Sequence, residues 1–204
     1  MFDWAKFRLT KGAVKLHLLL DHDGYLPSYA VITEGKKHEV RVARQMQFAR
    51  GAILVFDRGY TDYEWFTNLT QGVYFVARLK ENADYGVVEK REIPQRRGVL
   101  RDEVVFFYKL EQAGKEVFYR RIEFYDEEHD RVLVFLTNHL ELAAATVAAI
   151  YKERWQIELF FQSSTWCTPS YVTEFQDPVV LNRPLLGSLY GSVRPYIAQR
   201  LLCA

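Results

Sequence analysis

The sequence predicts an α/β fold, and three stretches carry that prediction. Residues 51–60, GAILVFDRGY, hold an unbroken apolar run, Ile53, Leu54, Val55 and Phe56, that stops on Asp57. A run without alternation is the pattern of a strand buried on both faces of a sheet. Residues 11–33 read as two strands around a turn, and residues 142–162, LAAATVAAIYKERWQIELFFQ, read as one long helix, rich in Ala early and in large apolar residues later. Strands interleaved with helices exclude a plain β-sandwich and a repeat array.

Each element follows from local pattern. Lys15 and His17 alternate with Val14, Leu16 and Leu18, which predicts a first strand with one buried face closing at Leu20. Residues 21–24 form a turn by composition and residues 25–33 return, completing a hairpin. Asp21 and Asp23 could suggest a metal site, but Asp followed by Gly between strands signals a turn first. A helix is expected over 38–49, with His38 and Glu39 in its first turn and Val40, Ala43 and Met46 facing inward. After the buried strand, 62–70 reads as a short helix with Gly72 near its end, and 73–79 as another strand. From 82 to 128 the chain becomes a β-rich insertion of about three charge-laced strands, clearest at 104–110 and 117–125. Residues 131–137 restore an apolar strand before the long helix.

Composition sets bounds. The 204 residues suffice for one domain with a real core, and 49% of them are hydrophobic. A net charge of +1 gives no global footprint for nucleic acid, so any DNA contact must come from local patches. One such patch is Lys90, Arg91, Arg96 and Arg97 around Pro94, which also reads as an ordinary solvated loop. No apolar run approaches the roughly eighteen residues of a membrane helix, and no signal peptide is visible, so no membrane partner and a cytoplasmic, nucleoid-associated location are expected. Cys167 and Cys203 lack metal-ligand spacing.

Two groups of polar residues stand out. Asp57, at the carboxyl end of a buried strand and followed by Arg58 and Gly59, sits where open α/β sheets place their ligands; it could equally cap the next helix. Tyr151, Arg154 and Glu158 are spaced i, i+3, i+7 on the long helix and share a face, either as a surface ion pair or as a polar site.

These residues carry a family resemblance. DRGY at 57–60, with Tyr151, Arg154 and Glu158 in YKERWQIELFF, resembles the second and third acidic motifs of DDE-type insertion-sequence transposases of the insertion-sequence-four group. The block WAKFRLTKGAVKLHLLLDHDGYLPSYAVITEGKKHEV and the segment GVYFVARLK resemble that family as well, so the likeness runs over about 2–162. It implies a ribonuclease-H-like mixed sheet with the β-rich insertion placed between the second and third catalytic acids. It implies DNA transposition by in-line phosphoryl transfer on two divalent ions about 3.5 to 4 Å apart, Mg²⁺ or Mn²⁺ given hard oxygen ligands. Asp57 and Glu158 then match two catalytic, metal-holding acids. Tyr151, Arg154 and Arg58 match positions expected on DNA phosphates, for which the arginine fork is suited. The partners implied are the DNA ends of the insertion sequence and a second transposase, either another copy or a full-length form.

The resemblance also marks departures. The family's first acid lies on a strand upstream of the WAKFR block, and no residue here takes that place, since Asp3 adjoins the block and Asp21 and Asp23 lie beyond it. That strand is the central one of the sheet, so its loss is expected to leave unpaired edges beside the hairpin and beside the Ile53 strand. The family's helix continues to a lysine where this chain has Thr165, and residues 163–204 resemble nothing in the family, as a frameshift or fusion would produce. The expected organisation is a catalytic-domain fragment at 1–162 and an unrelated tail at 163–204. Three readings follow: a transposase fragment inactive for want of its first acid, an active enzyme whose true start lies upstream, and a non-catalytic module that binds DNA or pairs with full-length transposase.

Overall fold

A computed structural model describes residues 14–21, 27–34, 39–56, 58–69, 72–93, 98–154, 178–181 and 196–203. They form a mixed α/β sheet. Its strands are β1 (Val14–Asp21), β2 (Pro27–Glu34), β3 (Ile53–Phe56), β4 (Tyr74–Arg78), β5 (Tyr85–Lys90), β6 (Val99–Phe107), β7 (Tyr119–Asp126), β8 (Arg131–Thr137), β9 (Pro178–Leu181) and β10 (Tyr196–Cys203). Their order across the sheet is β2-β1-β10-β3-β4-β8-β7-β6-β5, and β9 adds a short pairing to β3. The helices are α1 (Glu39–Ala43), α2 (Tyr63–Asn68), α3 (Tyr108–Gln112) and α4 (Ala144–Glu153).

The apolar run at 53–56 is a strand with all four residues buried. It is parallel to β4, with Ile53 opposite Tyr74 and Phe56 opposite Ala77. Alternation then divides the core in two. Leu54, Phe56 and Phe75 pack on one face with Trp65 and Phe66 of α2 and Leu110 of α3. Ile53, Val55 and Val76 pack on the other with Val147, Ala148 and Ile150 of α4. Helices on both faces are what a strand without polar alternation requires.

The hairpin forms as expected, with Leu16 opposite Ile32. The buried side chains on β1 include His17 as well as Leu19. His17 lies 2.9 Å from the Thr33 hydroxyl across the strand pair, so a polar residue is accommodated inside by a cross-strand hydrogen bond. Helix α1 spans only Glu39–Ala43, well short of the 38–49 expected. Asp62 caps α2, its carboxylate accepting from the Trp65 N–H at 2.9 Å, and also pairs with Arg44 at 2.9 Å. The capping role that Asp57 could have filled belongs to Asp62.

The insertion does not form a body apart. β5, β6 and β7 continue the main sheet beyond β8, with Ile122 opposite Phe135. Residues 108–112, part of which reads as strand, form α3 instead, which puts Leu110 into the core. Two side chains of the insertion reach back to the approach to α4: Arg91 donates to the Leu140 carbonyl, and Arg120 donates to the Leu140 and Leu142 carbonyls. Arg120 also forms a two-bonded pair with Asp102, Nε to Oδ1 at 2.7 Å and Nη2 to Oδ2 at 2.5 Å, both residues buried.

The expectation of unpaired edges in mid-sheet is not met. β10, from the tail that does not resemble the family, lies between β1 and β3. It runs antiparallel to β1 from Val14 opposite Cys203 to Asp21 opposite Tyr196, and parallel to β3 at Leu54 and Val55. β10 thus pairs β1 along its whole length, while β3 is paired by β10 at Leu54 and Val55 and by β9 at Ile53 and Phe56.

Candidate nucleic-acid interface

The sequence places its site at the carboxyl end of β3 and along α4. Asp57 and Glu158 lie outside the described residues, as do Arg96 and Arg97. Arg58 opens a 3₁₀ turn directly after β3, and its Nη1 lies 3.2 Å from Glu81, in the loop that follows β4. It therefore ties together the segments leaving the carboxyl ends of two parallel strands. Tyr151 lies in the last turn of α4, and Arg154, three residues on, is the residue that ends the helix on the same side. The Tyr151 ring is buried with its centroid 4.9 Å from that of Phe135, and the Arg154 guanidinium lies 5.6 Å from the Tyr151 ring.

Beside them opens a cleft of about 320 Å³, lined by Arg78 at the end of β4, Asp126, Glu128, His129 and Arg131 around the β7–β8 turn, Leu133 of β8, and Tyr151, Lys152 and Arg154 of α4. Arg78, Arg131, Lys152 and Arg154 set four positive charges against the carboxylates of Asp126 and Glu128, so the cleft is net cationic with its histidine neutral. Of these residues, sequence reasoning found only Tyr151 and Arg154. The others come from segments far apart in the chain. Their signals were an arginine closing the apolar strand YFVAR and the charged turn DEEHDR.

Asp126 organises the cleft floor. It is 2% exposed, and its carboxylate lies 2.9 Å from His129 Nδ1, 3.1 Å from Lys152 Nζ and 3.3 Å from Arg131 Nε. Burial alone would raise its pKa, but Lys152, His129 and Arg131 outweigh it and hold the carboxyl below its ordinary value. A depressed carboxyl contributes stability above its unfolded-state pKa, about 3.9, and loses it as pH falls through the folded-state value. The gap in melting temperature between wild type and Asp126→Asn should therefore be widest near neutrality and close as pH drops below about 4, read from melts across a pH series.

Among the described residues, Asp126, Glu128 and His129 have ligand atoms within 4.8 Å of one another, the spacing of a metal group. They do not fit a divalent ion, because Lys152 and Arg131 already neutralise both Asp126 oxygens and would repel one. The cleft suits an anion.

Comparison with known proteins decides the family. The sequence profile described as Transposase DDE domain matches residues 5–165. The chain belongs to the DDE transposase family. It is 31% identical over 164 residues to y4zB of Sinorhizobium fredii, named as a transposase, covering 78% of this chain and 46% of the relative. It is 26% identical over 163 residues to a Geobacillus stearothermophilus protein named as a transposase for insertion sequence element IS5377, covering 78% of this chain and 42% of the relative. This DDE-family chain thus spans less than half the length of either relative. No solved structure matches it. None of its described helices is long and apolar enough to cross a membrane.

Proposed function

We propose that the chain derives from a DNA-cutting transposase and keeps the DNA-binding half of that work without the cutting half. The cationic cleft at the end of α4 carries this reading. Arg154, which matches a family position expected on DNA phosphates, shares the cleft with Arg78 and Arg131, and guanidinium groups pair with phosphate oxygens in a planar, two-bonded fashion. Arg58 and Tyr151 are the further DNA-facing positions of this reading, and the sheet order is consistent with a ribonuclease-H-like fold.

Cleavage in this family would rest on Mg²⁺ or Mn²⁺ held by Asp57, Glu158 and a third carboxylate, the ions activating the attacking oxygen and steadying the leaving one. A third acid from the strand next to β3 is wanting, because β10 reads YIAQRLLC and contains no carboxylate. A module that pairs with full-length transposase would share the DNA binding proposed here.

The test is binding to labelled duplex DNA from 50 to 200 mM salt, with nicking of supercoiled plasmid in Mg²⁺ or Mn²⁺. Affinity should fall steeply with salt, and Arg154→Ala and Arg131→Ala should each lower the salt slope by about 1. No nicking should appear. Absence of DNA binding at 50 mM salt would refute the binding claim, and nicking abolished by Asp57→Ala would refute catalytic silence.

A further inference from the structure

We infer that the channel between β1 and β3 is a strand-acceptor site, and that the C-terminal segment 196–203 is its occupant, a separable strand that the same peptide can replace when supplied as a free molecule. Three observations carry this, and none depends on the DNA-binding reading. First, β10 is the last of the described strands in sequence yet sits inside the sheet, with partners on both sides. Second, its register with β1 is unbroken over all eight residues, while the β1–β2 pairing shifts between Leu19 and Leu20. Third, β10 lies outside the region that matches the family, 5–165, so the segment closing this sheet comes from beyond that region.

The chemistry of the site follows from the backbone. β1 offers an antiparallel edge along Val14–Asp21, and β3 offers a parallel edge at the fully buried Leu54 and Val55, between its pairings with β9 at Ile53 and Phe56. An occupant must supply N–H and C=O groups in both directions at once, because backbone groups buried without partners are costly. The site therefore selects an extended, largely apolar eight-residue segment of one polarity, with main-chain pairing giving affinity as in other strand additions. YIAQRLLC, with one charge and no proline, meets that description.

The full-length chain allows the test. Ala198→Pro removes an N–H and fixes φ in the middle of an interior strand, which a central position does not tolerate. The melting temperature should fall by about 2 to 12 °C, the cost of leaving one buried backbone group without its partner in a chain of this size. Added peptide of sequence 196–203, under reducing conditions, should raise it again in a saturable way, while a scrambled peptide should not. In parallel, Val14→Cys in a Cys167→Ser background should form an intramolecular disulfide with Cys203 on mild oxidation, because the two positions are directly opposite. Lys15→Cys, opposite Leu202, should not. The inference is overturned if Ala198→Pro melts with the wild type, if the native peptide restores no more than the scrambled one, or if the two cysteine variants cross-link alike or not at all.

Discussion

Arg120→Ala is expected to destabilise the protein by about 3 to 5 kcal/mol, a fall of about 6 to 20 °C in melting temperature. The substitution strands the buried Asp102 carboxylate without its counter-ion, and an uncompensated buried charge costs more than the intact pair contributes. It also removes the donor to the Leu142 carbonyl and one of the two donors to the Leu140 carbonyl, the other being Arg91, and these bonds fix the chain just before α4. The loss should spread to the cleft, since α4 carries Tyr151 and Lys152 and ends at Arg154. Arg101→Ala makes the control. Its side chain is exposed and pairs with Glu123 at 3.3 Å, so it should change stability by no more than about 1 kcal/mol. Equal melts for the two variants would mean that the Arg120 clamp does not hold the insertion to α4.

Phe56→Ala should cost a similar amount, about 3 to 5 kcal/mol, through loss of packing. The Phe56 ring is 1% exposed and lies 5.2, 5.3 and 5.7 Å from the rings of Trp65, Phe66 and Phe75. These rings join β3 to α2 and β4, and a cavity at their centre cannot close without moving a strand. Phe118→Ala, at an exposed ring, should stay within about 0.5 kcal/mol. Chemical denaturation of the two variants side by side decides it. A Phe56→Ala loss no larger than that of Phe118→Ala would mean that the aromatic cluster is not the anchor of this face.

Local pattern made some of this legible and hid the rest. β8 coincides with the 131–137 run, and β3 with the apolar stretch 53–56, because burial on both faces leaves no polar residue to blur the boundaries. Tyr151 and Arg154 were found because a helix brings i and i+3 together whatever the rest of the chain does. Pairing across the sheet was not legible. Nothing near Tyr196 announces β1 or β3 as its neighbours, and a largely apolar segment with one arginine reads equally as tail or strand. α3 was misjudged for the opposite reason. Tyr108 and Leu110 have strand-compatible side chains, but burial of Leu110 over the aromatic core outweighs that weak preference. The Asp126 network brings together four polar side chains from β7, β8, α4 and the β7–β8 turn, and that exposed turn gives no sign that its first acid is buried.

The pairing of Val14 with Cys203 has a kinetic meaning. Contacts between residues so distant in sequence require closure of a very long loop, and such topologies fold slowly. On the ribosome, β1, β2, β3 and β4 emerge long before the residues that complete their sheet. Until residues 196–203 are translated, the nascent chain displays open strand edges of the kind that invite aggregation. Its yield in a cell therefore depends on how long those edges stay shielded, a matter for holding chaperones and for the speed of elongation.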